Sequence, residues 1–324
     1  MTGSLPESPF EPRPVARLVP QAPPMLLLDT LTHYDLESGE AQTVVRPDSL
    51  FLEPSGQMAA PALVEMMAQL VAARQGFEAL SHPEALTQGL LVGVQEFSFH
   101  GTARTGDTLR ITAQQVLRVD QAVVVRGEVW RGADLLASGM LKIWEVASLP
   151  EGTRETLSPD TRIKQERRPL YPGEPEESLC PVARAFLAHI RAWDISEAST
   201  PGETGGSLCA RGTCLLPPDF PAFQGHFPGF PILPAVAMLE IGRVAFQATV
   251  SHPLTLTGVT RAKFTHLIRP EEEIEFSVET LGRGKENRNR PSDPADLRAR
   301  VQLQVGGRSA ATFQLHARPA KESA

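Results

Sequence analysis

A weak internal repeat limits how this 324-residue chain can fold more than any other feature. Gly93-Val94 is followed by Phe99, Gly106-Asp107, Leu109 and Ile111. At a constant offset of 165 residues come Gly258-Val259, Phe264, Glu271-Glu272, Ile274 and Phe276. Each version reads as a strand, a turn with glycine or proline beside an acid, and an alternating strand. Upstream of each runs an apolar helix, Pro61 to Ala73 in the first half and Pro234 to Phe246 in the second. Both are apolar nearly all round, as suits a helix enclosed by other structure rather than laid on a surface. Alternating strands then follow, 121–129 and 135–146 in one half, 299–305 and 309–316 in the other. The pattern predicts an α+β chain of two like units, each a long helix with several antiparallel strands.

The units are expected at 16–147 and 179–320, after a disordered N-terminus at 1–15. Residues 148–178 hold five prolines, many charges and little apolar periodicity, and read as a linker. The polar stretch from Arg283 to Asp296 reads as a surface insertion. With 41% hydrophobic residues, two tyrosines, three tryptophans and a net charge of -7, the chain lacks the basic, aromatic surface that nucleic-acid binding requires. Cys180, Cys209 and Cys214 are odd in number and not in metal-pair spacing, so neither structural zinc nor a disulfide framework is expected, and a reducing cytoplasm is the simplest compartment. Met1 to Pro24 has no basic-then-apolar signal pattern, and the early run Met25 to Leu28 is too short to span a bilayer.

The chemistry concentrates at Phe223-Gln224-Gly225-His226-Phe227-Pro228-Gly229-Phe230-Pro231-Ile232-Leu233-Pro234. One histidine sits in a turn stiffened by prolines and glycines just before an apolar helix, and Glu240 follows 14 residues later on that helix. A histidine fixed in a rigid loop and a carboxylate on an apolar helix are the parts of a general acid–base site. A histidine beside prolines is ordinarily a turn residue; the string around it and its spacing to the acid set His226 apart. His33, His82, His100, His189, His252, His266 and His316 have no such context.

This loop resembles the active-site loop of bacterial 3-hydroxyacyl-[acyl-carrier-protein] dehydratases, hotdog-fold proteins with a G-H-F-P-x-x-P-x-x-P-G-V pattern and an acid at this spacing. In the first half, Pro24-Met25-Leu26-Leu27-Leu28-Asp29 resembles the family's opening, and Glu65-Met66-Met67-Ala68-Gln69 its helix signature. Yet Phe51 stands 14 residues before Glu65, and no histidine string precedes that helix. A half with the histidine beside a half without it is also similar to the paired dehydratase subunits of aryl-polyene-type pathways, here fused. The resemblance implies a double hotdog of two curled antiparallel sheets, each wrapping a central helix, monomeric or in a higher assembly. It implies dehydration of a 3-hydroxyacyl chain to the trans-2-enoyl form, with acyl carrier protein as partner, in fatty acid, polyketide or aryl polyene biosynthesis.

In that family the histidine comes from one subunit and the acid from its partner's helix, which implies that His226 faces Glu65 across the halves. Pairing of His226 with Glu240 inside the second half remains the alternative. The resemblance further implies Ala235 as backbone donor to the thioester oxygen, where the family has glycine. Gly225, Phe227, Phe230, Pro234, Met238, Met66 and Gln69 are the other candidate substrate contacts. It calls for no metal or organic cofactor. A hotdog acyl thioesterase and a non-catalytic acyl-carrier-binding scaffold are the competing functions.

Overall fold

The computed structural model describes residues 10–81, 88–146, 176–198, 207–281 and 296–320. The first half runs β1 (Arg13–Pro14), β2 (Thr30–Tyr34), β3 (Ser38–Val44), α1 (Ala62–Ser81), β4 (Gln88–Phe99), β5 (Thr108–Val119), β6 (Ala122–Arg131) and β7 (Asp134–Val146). The second runs α2 (Pro181–Ala188), β8 (Ile190–Ala198), β9 (Ser207–Leu215), α3 (Ala235–Gln247), β10 (Leu254–Phe264), β11 (Glu273–Leu281), β12 (Leu297–Val305) and β13 (Arg308–Pro319). Without β1 and α2 the two halves have one plan: two strands, a long helix, four strands. In space the strands fall in the same order too, β2-β3-β5-β6-β7-β4 and β8-β9-β11-β12-β13-β10.

Two separate sheets were expected, but the strands form one 13-stranded antiparallel sheet. The join is β4 against β10, with Phe97 opposite Val259 and Val94 opposite Ala262. Each of these strands ends its own half's order, and pairing them removes two open edges that would otherwise present unpaired backbone groups. One apolar cluster, reaching from Val15 to Ala317, runs through both halves. α1 packs on β3, β4 and β5, α3 packs on β11 and β12, and the two helices also meet each other.

The likeness extends to single hydrogen bonds. Met58 N–H donates to the Ala103 carbonyl at 2.9 Å, and Leu233 N–H, 175 residues on, donates to Ile268 at 2.8 Å. Each opening segment docks on the other half's pre-helix loop: Ala22 N–H donates to Gly225 at 3.0 Å, and Val182 N–H to Leu50 at 3.4 Å. Leu50 and Gly225 are themselves 175 residues apart. The halves are therefore interlocked by exchanged contacts related by an approximate two-fold.

Several sequence boundaries shift. Residues 10–15 were assigned to a disordered terminus, yet β1 pairs with β2, Val15 is fully buried, and Phe10 meets the Phe77 ring edge-on at 5.2 Å. The strands β8 and β9 and the short helix α2 were not anticipated. Most of the expected linker, 148–175, and of the expected insertion, 283–295, lies outside the described residues. Among the described residues no helix is long and apolar enough to cross a membrane.

Candidate active site

The loop before α3 is shaped by where its glycines sit. Gly225 adopts φ 81°, in the left-handed region that glycine enters freely. A Cβ there would lie 2.1 Å from the Ala22 carbonyl oxygen, so the residue also permits the close docking of the first half's opening segment. Phe227 and Phe230 exchange backbone hydrogen bonds of 3.3 and 2.9 Å, closing the turn around Gly229. Ile232 N–H then donates to the His226 carbonyl at 3.0 Å. The His226–Phe227 peptide is cis, and the two rings stack with centroids 4.2 Å apart.

This loop also sets the histidine's tautomer. His226 Nδ1 lies 3.1 Å from the Ile232 carbonyl oxygen. A carbonyl can only accept, so Nδ1 carries the proton and Nε2 keeps its lone pair. The ring is buried, and burial lowers its pKa to about 4 despite the opposing hydrogen bond to Ile232. At neutral pH it is an uncharged base.

Glu65 lies in the first turn of α1 and is 3% exposed. Burial raises its carboxyl to about 7, with a hydrogen bond from Gln69 pulling the other way. Gln69 Nε2 donates to Glu65 Oε1 at 2.9 Å and to the Met25 carbonyl at 2.7 Å, while its Oε1 accepts from Leu27 N–H at 2.9 Å. The amide thereby ties Glu65 to the segment that docks on Gly225, and it occupies one carboxyl oxygen while leaving the other for a proton.

Glu65 and His226 line one cavity of about 280 Å³. Its α1 wall is the stripe Glu65, Ala68, Val71, Ala72 and Gln75, residues related by three- and four-residue steps on one helix face. The two alanines leave room along the helix. Leu90, Leu91 and Ile143 close the sheet side, and Phe227, Ala235 and Met238 come from the second half. Ala235 opens α3, whose N-cap Pro234 supplies no side-chain cap. First-turn amides have no intrahelical partner, and the helix dipole is positive at that end. Among the described residues no cluster suited to hold a metal ion occurs.

Other sequence candidates fall elsewhere. Glu240 is fully buried but does not line this cavity. Arg243 Nε binds both of its carboxyl oxygens at 2.9 and 3.0 Å, Arg243 Nη2 adds a 2.6 Å contact, and the Cys180 thiol lies 3.6 Å from Oε1. Burial works against the Arg243 charge, yet Glu240, with Glu53 in support, raises its pKa on balance. Phe51, fully buried, holds the position that His226 holds in the other half. The second-half acid is held in an ion pair with Arg243 and does not line the cavity that holds His226.

Met66 lines a different cavity of about 110 Å³ with Pro23, Pro24 and Met58. Phe230 faces Arg269, whose guanidinium lies 5.1 Å from the ring centroid. Gly225, Pro234 and Gln69 support the cavity walls without lining them. Gln21 and Gln75 line the cavity but went unnoticed in the sequence, where each is a lone polar residue without pattern, and His266, set aside there for want of context, lines it too.

Residues 13–153 match the family model described as ApeP dehydratase, and residues 203–289 match the one described as ApeI dehydratase. The chain thus carries two dehydratase-family modules in tandem. It is 34% identical over 89 residues to a 3-hydroxyacyl-[acyl-carrier-protein] dehydratase FabZ of Sorangium cellulosum, covering 24% of this chain and 57% of that protein. It thus spans about half the length of the curated relatives it matches. Among solved structures, the dehydratase heterocomplex ApeI:P from Xenorhabdus doucetiae aligns at 25% identity, covering 41% of this chain and 91% of that chain with a TM-score of 0.39. A putative oleoyl thioesterase from Lactobacillus plantarum covers 88% of this chain and 97% of its own at 8% identity, TM-score 0.54. That last likeness concerns the fold alone.

Proposed function

We propose that this fused pair dehydrates 3-hydroxyacyl thioesters to trans-2-enoyl thioesters, presented on acyl carrier protein, at one working site per chain. The observation that carries this is a neutral, Nδ1-protonated imidazole and a carboxyl of raised pKa lining the same cavity, one from each half. On this view the chain is a double hotdog whose modules, 16–147 and 179–320, are joined by residues 148–178, the expected two sheets being merged through β4 and β10.

His226 Nε2 takes the C2 proton of the acyl chain. The C2–H electrons form the C2–C3 double bond, the C3–O bond breaks, and the Glu65 proton goes to the leaving hydroxyl as water. Enolate character on the thioester oxygen is met by the first-turn amides of α3 at Ala235. The proton on His226 returns to Glu65 through solvent, resetting both groups. Alanine in place of glycine at 235 retains the amide donor and adds a methyl group beside the thioester. The acyl tail runs over Ala68 and Ala72.

Incubation with a 3-hydroxyacyl-carrier protein, followed by mass spectrometry, tests the reaction. Loss of a water mass from the acyl group is expected. Release of a free acid would mean thioester hydrolysis instead, and an unchanged but bound substrate would mean a scaffold.

A further inference from the structure

Two amides line the catalytic cavity with a buried, unpartnered Oε1: Gln75 is tied through its Nε2 to Glu145 on the sheet, and the other is Gln21. It is 8% exposed, and its Oε1 is buried with no hydrogen-bond partner among the described residues. Buried polar side chains are ordinarily satisfied, and an exception calls for a reason such as a bound ligand or a catalytic role. Gln21 lines the cavity that holds Glu65 and His226. Its neighbours hold it there from both sides. Ala22 N–H is bonded to Gly225, the residue before His226, and Met25 and Leu27 are bonded to Gln69, which bonds Glu65. On the other side Leu18 lies against α1 at Gly76, where a Cβ would come within 1.8 Å of the Leu18 carbonyl oxygen. Glycine inside a helix weakens it, and here it lets the backbone leading to Gln21 rest on the helix surface.

We propose that Gln21 binds the 3-hydroxyl of the substrate, a role that rests on the dehydratase reading above. An orphaned carbonyl oxygen needs a donor. At the reacting end of a 3-hydroxyacyl thioester the hydroxyl is the one O–H or N–H donor, since the thioester oxygen and sulfur only accept. The hydroxyl donates to the Gln21 carboxamide and thereby turns an oxygen lone pair toward the proton on Glu65. The enoyl product has no hydroxyl, so this hydrogen bond ends with the reaction. Gln21 therefore favours hydroxyacyl substrate over enoyl product and over a saturated acyl chain.

The test compares the native Gln21 with Gln21→Leu and Gln21→Met, two apolar replacements of similar size. Equilibrium affinities are measured in a His226→Ala background, in which the hydroxyacyl ligand is not consumed, for carrier protein loaded with 3-hydroxyacyl, trans-2-enoyl and saturated acyl groups of one chain length. Loss of one hydrogen bond to a buried acceptor should weaken hydroxyacyl binding about tenfold and leave the other two unchanged. Removing an unpartnered buried amide should at the same time raise the melting temperature. Equal weakening of all three ligands, no weakening of any, or a fall in melting temperature in both variants would overturn the assignment. If protein with Gln21 intact prefers the hydroxyacyl form, the variants lose that preference, and wild-type protein still releases no water, Gln21 stands and the dehydratase reading fails.

Discussion

Burial acts in opposite directions on the two side chains proposed to carry the reaction. It lowers the His226 imidazole to about 4 and raises the Glu65 carboxyl to about 7. Each shift favours the neutral form, which is the form the chemistry needs: a base without its proton and an acid with it. The signs fix the pH dependence. Below about pH 4 His226 becomes protonated and the base is lost; above about pH 7 Glu65 becomes ionised and the acid is lost. A plot of kcat/KM against pH should show a plateau between these limits and fall on both sides, with Glu65 responsible for the alkaline limb. Of these residues, His226 and Glu65 were legible in the sequence because each sits in a patterned string. Gln21 was not, since a lone amide among prolines carries no periodicity. Glu240 could have been read more fully: Arg243 stands three residues on, on the same helix face, the spacing of an ion pair.

At the scale of elements, the site depends on a short loop held in place by the other half's opening segment. Gly225→Ala should be severe for two separate reasons. Alanine is disfavoured at φ 81°, and its methyl group would collide with the Ala22 carbonyl at 2.1 Å. Positive φ on a non-glycine residue costs about 1–3 kcal/mol, and relief of the collision would move His226 with its loop. Thermal melts should show the loss of stability, and kcat should fall even at temperatures where the variant stays folded. The helices α1 and α3 and the strands after them were legible because apolar runs and a constant offset mark them twice. The strands β8 and β9 were not. Arg191, Asp194, Arg211 and the small residues Ala210 and Gly212 interrupt the β-branched and aromatic alternation by which strands are recognised. The pairing of β8 with β9, and of β9 with β11, is a tertiary matter.

The whole molecule is a near-symmetric frame with an asymmetric interior. Backbone hydrogen bonds match across the approximate two-fold, as in Met58 to Ala103 and Leu233 to Ile268. The two acid positions do not match in role. Glu65 keeps an amide neighbour and a cavity, whereas Glu240 is closed in by Arg243 and Cys180. The single continuous sheet could not be foreseen from periodicity, because an edge strand and an interior strand read alike until their neighbours are known. The pair Glu240–Arg243 is buried, so breaking it leaves an uncompensated charge and costs about 3–5 kcal/mol. Glu240→Gln should therefore lower stability without removing the chemistry.

The most direct measurement is the turnover of 3-hydroxyacyl-carrier protein by Glu65→Gln beside Glu240→Gln, each normalised to folded protein. The account predicts a loss of at least about a hundredfold in kcat for Glu65→Gln, the scale of a missing general acid, and a kcat within a few-fold of wild type for Glu240→Gln. Activity retained in Glu65→Gln and abolished in folded Glu240→Gln would contradict it.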